Sequence, residues 1–141
     1  MHHIQNCTTD EQILAAFDVM FQLRPHLRRE DFVATVRRLK ATQNYHLVSL
    51  SDGGQVGAVM GLRLGEGLSW GRYVYIDDLV SDENGRSSGF GKALLDWASA
   101  FGKENSCTEL HLDSGVQRHG AHRFYLRERM DIACYHFKKT I

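Results

Sequence analysis

Residues 80–95 read VSDENGRSSGFGKALL. The stretch has the pattern of a strand end, a polar loop, a glycine-rich turn and the start of an amphipathic helix. A helix start presents N–H groups without intrahelical partners and the positive end of the helix dipole, so it stabilises an anion. Gly89 and Gly91 have no Cβ atom to keep a phosphate from the backbone, and Arg86 and Lys92 add positive charge. The pattern predicts a pyrophosphate-binding turn.

Three known phosphate-binding motifs can be compared with this turn. A P-loop does not fit, because one residue too many separates Gly85 from Gly91 and Ala93 replaces the required hydroxyl. A dinucleotide fingerprint does not fit, because Leu94 stands where a third small residue is needed. The pattern R-x-x-G-x-G/A does fit, from Arg86 to Gly91. The alternative is an ordinary glycine-rich helix start that binds no ligand.

The residues before the turn predict two helices followed by three strands. The first helix begins at Thr9, where Thr9 and Gln12 have the form of a capping box, and it ends before Pro25. The apolar spacing of Phe32 and Val36 predicts the second helix. The predicted strands are 45–50, 55–64 and 73–80, with a hairpin turn at 51–54 and a break at 65–67; an extra strand at 4–8 is an option.

The residues after the turn predict two more helices and two more strands. An apolar helix face extends from Phe90 to Phe101, and a short strand covers 109–113. A helix follows at 118–128, with Ala121, Phe124 and Tyr125 inward, and a closing strand at 131–138. We therefore expect a single domain over residues 1–141 of the α+β class, with a central, mostly antiparallel sheet flanked by about four helices.

The chain resembles the GNAT superfamily of acyltransferases. The R-x-x-G-x-G segment follows the strand 75–80 at the distance usual in that family, and residues 121–125, AHRFY, look like its A-x-x-F-Y segment. The resemblance covers roughly residues 45–137. It implies a GNAT-like fold and acetyl-CoA as co-substrate, with no metal. The cofactor-binding residues are then Leu79, Val80, Arg86, Ser87, Ser88, Gly89, Phe90, Gly91 and Lys92, the first two pairing through their backbone with the pantetheine arm.

Transfer of an acetyl group to an amine needs a proton acceptor for the amine and an acid for the departing thiolate. The resemblance implies that Tyr125 is the acid. Asp77 and Asp78 are the candidate bases, because paired acids interrupt an otherwise apolar strand. Neighbouring strand residues point to opposite faces, so only one would face the cleft unless a bulge turns both; the resemblance implies such a bulge. The alternatives are a core tyrosine and two aspartates with structural or solvated roles.

Two positions depart from the pattern of the resembling family. Arg129 stands where many relatives have a glycine at a helix end, which makes a left-handed cap less comfortable. Arg118 stands where many relatives have an asparagine, so the usual contact to the pantetheine arm is in doubt.

Composition excludes several other functions. Lys+Arg and Asp+Glu are both 17, which gives no electrostatic reason to expect nucleic acid or an anionic membrane as a partner. Three widely spaced cysteines and no secretory signal lead us to expect a cytoplasmic protein. His111, His119 and His122 could suggest a metal site, but they lack recognised ligand spacing, and we interpret them as surface or rim residues.

The expected function is an N-acetyltransferase that moves an acetyl group directly to a primary amine, most simply of a small molecule, in a ternary complex. One alternative is an acyl-CoA-binding regulatory module without turnover. Another is an enzyme that acetylates a protein or peptide. The resemblance and the aromatic segment 135–137 also predict a homodimer.

Overall fold

The computed structural model describes residues 2–85 and 89–141, which form a mixed α+β structure as expected. Five strands are present in these residues: β1 (His2–Asn6), β2 (Tyr45–Asp52), β3 (Gln55–Gly67), β4 (Gly71–Ser81) and β5 (Glu109–Leu112). The same residues form five helices: α1 (Asp10–Ala15), α2 (Phe17–Leu23), α3 (Arg29–Gln43), α4 (Phe90–Glu104) and α5 (His119–Arg127). The chain divides into two compact units, one up to His111 and one from Leu112 to Ile141, and each is described by itself.

The first predicted helix is two helices. The capping box at its start is confirmed, since the Thr9 side chain accepts from the Gln12 backbone and the Gln12 side chain accepts from the Thr9 backbone. The helix ends early because the Ala16 N–H donates to the carbonyl of Ile13, three residues back, instead of four. This tighter turn separates α1 from α2 and accounts for the fifth helix.

The five strands are ordered β1-β2-β3-β4-β5 across one sheet. Strands β1 to β4 are antiparallel to their neighbours, and Asp52 pairs with Gln55 across the predicted hairpin turn. The expected break at 65–67 is wrong: Gly65 pairs with Tyr73 and Gly67 with Gly71, because the ladder needs only backbone groups. The optional first strand is present, two residues earlier than expected.

Helices cover both faces of this sheet. On one face, β2 and β3 contribute Tyr45, Leu47 and Val59 to a core that they share with buried residues of α1, α2 and α3. On the other face lies α4, whose Gly102 backbone approaches Val74 of β4 and whose Phe90 ring lies over Gly57 of β3. The amphipathic pattern of α4 is confirmed, with Leu94, Leu95 and Ala98 all buried.

The second unit contains no buried residue from Leu112 to Ile141. The predicted closing strand at 131–138 is wrong, because residues 130–141 form neither helix nor strand and residues 131–141 are all exposed. Its alternating aromatic pattern has no sheet neighbour here, and an extended segment is stable only when a neighbour pairs with it. Among the described residues, no helix combines the length and the apolar character needed to cross a membrane.

Candidate active site

The paired aspartates of β4 lie at a β-bulge. Gly61 of β3 pairs with Asp78, and the next residue, Leu62, pairs with Ile76, so Asp77 is an extra residue with no partner across the ladder. The bulge implied by the family resemblance is therefore present. Tyr45 and Arg63 are paired across β2 and β3 and point to the same face, and each binds one of the two carboxylates. Both aspartates thus face the side of the sheet that carries α1 to α3.

Asp77 is held by a two-pronged ion pair with Arg63. The Arg63 Nε donates to Asp77 Oδ2 at 2.7 Å, and its Nη2 donates to Oδ1 at 3.0 Å. Both side chains are about one-third exposed, at 31% and 32%. The carboxylate raises the pKa of Arg63, and the guanidinium also lies 5.1 Å from the centre of the Tyr75 ring. Asp77 is therefore accessible to solvent, but both of its oxygens are bound.

Asp78 has a more enclosed position and different partners. Its Oδ1 accepts from Arg24 Nε at 2.9 Å, and its Oδ2 accepts from the Tyr45 hydroxyl at 2.8 Å. Arg24 also donates to the backbone carbonyl of Asp77, and it is the residue that ends α2. A Cβ at Gly61 would lie 1.8 Å from the Tyr45 oxygen, so only glycine leaves room for this contact. Asp78 thus fastens the end of α2 to the bulge.

Tyr45 is the ionisable group that this arrangement affects most. Burial raises the pKa of Tyr45 well above its ordinary value, and the charges of Asp78 and Asp77 raise it further. The phenol therefore remains a hydrogen-bond donor to Asp78 over the physiological pH range.

An aromatic cluster adjoins the bulge and includes a histidine that the sequence did not single out for catalysis. Trp70 stacks on His111 with ring centres 3.6 Å apart, and His111 is parallel to Tyr75 at 6.2 Å. The His111 Nε2 and the Glu109 Oε1 lie 2.7 Å apart. Glu109 and His111 are two residues apart on one strand, so both side chains lie on the same face. This spacing was the sequence signal that could have predicted their contact.

The outer edge of β4 is only half covered. The Thr108 N–H donates to the Arg72 carbonyl, and His111 lies beside Tyr75, so β5 runs parallel to the first half of β4. Because β5 ends at Leu112, no strand of the described residues pairs with the outer edge of Leu79 and Val80. The pairing of their backbone with a pantetheine arm stays a prediction.

The glycine-rich turn leads directly into α4. Gly89 is the residue before the helix and has φ of 100°, a conformation that favours glycine, with open space where a Cβ would lie. The Phe90 ring is buried, and its predicted contact to the cofactor stays a prediction. Lys92 contacts Asp96 one turn further on, at 3.1 Å. The predicted contacts of Arg86, Ser87 and Ser88 fall outside the described residues.

The loop before that turn is fastened to α2. Gln22 donates to Asp82 and accepts from the Glu83 backbone N–H, and Asn84 donates to Asp82. The hydrogen bonds from Gln22 and from the Asn84 backbone lower the pKa of Asp82. Gln22 is a positioning residue for the loop that the sequence pattern did not reveal.

Tyr125 lies on α5, in the second unit. It is half-buried and packs against Phe124, with ring centres 5.4 Å apart. Burial raises the pKa of Tyr125, and the charge of Arg118 partly opposes that effect. Tyr125 therefore keeps its proton at neutral pH, as an acid must.

Two histidines of the second unit have polar partners within that unit. His122 Nε2 lies 2.8 Å from the Gly115 carbonyl, and His136 Nδ1 lies 2.9 Å from Asp113 Oδ2. Within residues 2–85 and 89–141, no three histidine, cysteine or acidic side chains come together as metal ligands do.

Known proteins are similar to this chain in sequence or in fold. Residues 10–130 match the Acetyltransferase (GNAT) family. The uncharacterized N-acetyltransferase YhdJ of Bacillus subtilis (strain 168) is 30% identical over the full length of both chains. The fold matches a transcriptional regulator from Bacillus halodurans C-125 with a TM-score of 0.87 and 19% identity, covering all of both chains. It also matches glucosamine-6-phosphate N-acetyltransferase from Arabidopsis thaliana, with a TM-score of 0.80, 16% identity, and 99% and 98% coverage.

The family match covers most of the chain, and it agrees with the bulged fourth strand, its open edge and the glycine-rich start of α4. Members of this family are acyltransferases that generally use acetyl-CoA. The chain belongs to the Acetyltransferase (GNAT) family.

Proposed function

We propose that this protein is a cytoplasmic, homodimeric N-acetyltransferase that transfers the acetyl group of acetyl-CoA to a primary amine of a small molecule. The observation that carries the proposal is the combination of the bulge at Asp77 with the open outer edge of Leu79 and Val80, a few residues before the glycine-rich helix start. The open edge suits the amide groups of a pantetheine arm, and the helix start suits a pyrophosphate.

The transfer is a direct displacement. The neutral amine nitrogen attacks the thioester carbonyl carbon, a C–N bond forms, the C–S bond breaks, and the amine proton passes to a base. The departing sulfur takes the proton of the Tyr125 hydroxyl, which regains one from solvent. Much of the rate comes from holding the amine and the thioester together.

The contacts of the two aspartates support different roles for them. Asp78 is bound by Arg24 and Tyr45 and positions α2, so we assign it a structural role. Asp77 is about one-third exposed, and it remains the candidate base, acting through a water molecule beside the Arg63 ion pair. His111 is a second candidate, because Glu109 orients its ring and an imidazole nitrogen can accept a proton.

The choice of a small acceptor rests on the aromatic cluster. Both aspartates are paired with arginines, so they offer little net charge to attract a cation. The half-buried rings of Trp70, Tyr73 and Tyr75, of which Tyr75 contacts the Arg63 partner of Asp77, instead offer an apolar surface on which a small molecule can pack. A peptide acceptor remains the second candidate within the same chemistry.

The test is a turnover screen with acetyl-CoA, in which the freed thiol is detected with a chromogenic disulfide. The acceptors are polyamines, amino sugars, aminoglycosides and lysine- or N-terminus-bearing peptides. We expect turnover with at least one small amine. Turnover with peptides alone would overturn the small-molecule assignment. Binding of acetyl-CoA without turnover for any acceptor would favour a regulatory module, the kind of function for which the Bacillus halodurans structure is named.

Matched variants distinguish the two candidate bases. Asp77→Asn and His111→Gln each remove one proton acceptor while keeping the shape of the side chain. The true base is the one whose loss lowers kcat by about 10²–10⁴-fold, with partial recovery at higher pH where more amine is already neutral. Arg63→Lys is the control for the ion pair, because it disturbs Asp77 without removing the carboxylate.

A further inference from the structure

Two arginine side chains bind the same residue of the bulge, Asp77. Arg63 binds its carboxylate, and Arg24 Nη2 donates to its backbone carbonyl at 2.9 Å. Because both guanidinium groups lie within hydrogen-bond distance of one residue, they are close together, and all of these residues belong to the first unit. With Asp78, which also binds Arg24, they form a charged cluster of two arginines and two aspartates.

The charges of this cluster are unequally exposed to solvent. The side chains of Arg24 and Arg63 are 41% and 32% exposed, and that of Asp77 is 31% exposed. Asp78 is only 14% exposed, and Arg24 compensates its charge. A ligand at the surface therefore meets two guanidinium groups but mainly one carboxylate.

The hydrogen bonds of the cluster leave donors unused rather than acceptors. All four carboxylate oxygens accept a hydrogen bond, three from the arginines and one from Tyr45. Both arginines donate through Nε and Nη2, so within the described residues their Nη1 groups have no acceptor. Guanidinium donors match the oxygens of a carboxylate or a phosphate. Because both groups are already held in place, a ligand does not have to immobilise them.

We propose that the acceptor is a zwitterionic amine, whose carboxylate or phosphate group binds Arg24 and Arg63 while its amine lies beside Asp77. The inference rests on the proposed transferase function and names the class of its acceptor. Since Arg63 and Asp77 are in contact, the acid group and the amine are only a few bonds apart, as in an α-amino acid. A polyamine is disfavoured, because its second cation would lie against a guanidinium.

The acid group of the acceptor takes no part in the bond changes. The amine loses its proton and forms the C–N bond as the C–S bond breaks, whereas the acid group keeps its charge and its hydrogen bonds to the arginines. These hydrogen bonds are the same in the ground state and the transition state. Their loss should therefore raise KM and leave kcat nearly unchanged.

Matched acceptors test the class of ligand. Phenylalanine is compared with phenylalaninamide, which has a similar size and no carboxylate, and O-phosphoethanolamine with ethanolamine, with kcat/KM expressed per neutral amine. We expect the acid-bearing member of at least one pair to be preferred about tenfold or more, and the pair that responds distinguishes a carboxylate from a phosphate. Turnover without such a preference would overturn the inference and leave the transferase function standing.

Arg24→Gln and Arg63→Gln test the two residues. Each should raise KM for the preferred acid-bearing acceptor about tenfold and change KM for its neutral partner much less. The readout is a ratio of two acceptors on one protein, so a general loss of activity from a displaced α2 or Asp77 cancels. Arg37→Gln is the matched control, because Arg37 binds Asp10 and the Thr8 carbonyl outside the cluster. A preference that persists in both cluster variants would overturn the assignment.

A binding measurement on the unmodified chain makes the test independent of turnover and of the folding of the variants. Calorimetry with CoA-saturated protein compares N-acetylphenylalanine with N-acetylphenylalaninamide, and N-acetyl-O-phosphoethanolamine with N-acetylethanolamine. We expect the acid of at least one pair to bind about tenfold more tightly. If no amine is turned over, the transferase function fails while this comparison still decides the inference. Acid ligands that bind no more tightly than their neutral partners would overturn it.

Discussion

At the scale of single residues, two identical aspartate side chains differ in environment because they bind different partners. Asp77 and Asp78 are adjacent in sequence and turned to the same face by the bulge. Asp78 binds a buried phenol and the end of α2, whereas Asp77 binds a guanidinium that is about one-third exposed. The sequence predicted both as candidates, but it could not separate them, because their partners are 14 to 54 residues away.

Tyr125→Phe tests the acid. The change removes one hydroxyl and keeps the ring, so its packing against Phe124 should survive. Because the hydroxyl acts only as the thiolate leaves, we expect kcat to fall by about 10²–10⁴-fold while the affinity for acetyl-CoA stays nearly constant. Stopped-flow turnover and calorimetry measure the two quantities, and undiminished turnover with chemistry rate-limiting would return Tyr125 to a packing role.

Tyr45 should make the protein sensitive to alkali. Its folded pKa is raised by burial and by the neighbouring aspartates, so its contribution to stability is complete below the ordinary tyrosine value of about 10 and is lost as pH rises beyond it. We expect ultraviolet titration to show one of the five tyrosines ionising only as the chain unfolds.

The control for that titration is Tyr45→Phe. It should remove the late-ionising tyrosine, lower stability at neutral pH because Asp78 loses a donor, and flatten the alkaline decline. A late transition that persists in the variant would assign the effect to another tyrosine.

At the scale of elements, helix α5 ends in a left-handed cap without glycine, a strained conformation that the sequence predicted. The Met130 N–H donates to the Tyr125 carbonyl and the Arg129 N–H to the Leu126 carbonyl, the bond pattern of a Schellman cap. In this cap, Arg129 has a φ of 67°, a left-handed conformation in which glycine is preferred. The expected glycine is absent, yet the cap forms.

Arg129→Gly should therefore stabilise α5 by about 1 kcal/mol. The cap bonds are backbone bonds and remain, while the penalty for a side chain in the left-handed region disappears. Urea unfolding measures the change, and Arg127→Gly, inside the same helix, is the contrasting control, expected to destabilise by about 1 kcal/mol. Equal effects from the two changes would mean that the conformation of residue 129 carries no strain.

The start of α4 offers a second test at this scale. Gly91→Asp places a negative charge in the first turn, which suits the helix dipole but repels a pyrophosphate. Gly91→Ala adds the same Cβ without charge and fits the pattern R-x-x-G-x-G/A. We expect calorimetry to show lost CoA binding in the aspartate variant and retained binding in the alanine variant, with both folded. Binding retained by both would place the anion site elsewhere.

At the scale of the whole molecule, patterns within one segment were predicted from sequence and long-range contacts were not. The capping box of Thr9, the hairpin turn before Gln55 and the apolar face of α4 follow from spacing within a few residues. The split at Ala16 depends on a single tighter hydrogen bond. The segment 131–138 has a strand pattern, but a strand exists only where another strand adjoins it.

Acetyl-CoA should raise the melting temperature of the whole chain. A ligand that binds only the folded state stabilises it by about 2.7 kcal/mol at a concentration one hundred times its dissociation constant. Thermal denaturation with increasing acetyl-CoA tests this, and desulfo-CoA should give a similar shift because it keeps the pyrophosphate. An unchanged melting temperature at millimolar acetyl-CoA would contradict the proposed site.

The bulge at Asp77 has a consequence for changes in chain length. Deleting Asp77 would leave every observed pair between β3 and β4 in place, because Leu62 would still pair with Ile76 and Gly61 with Asp78, now as consecutive positions. A one-residue deletion in the middle of a strand usually turns all later side chains to the wrong face. Here it would straighten the strand instead. Comparing this deletion with Asp77→Ala, which keeps the bulge, would separate the contribution of backbone shape from that of the carboxylate.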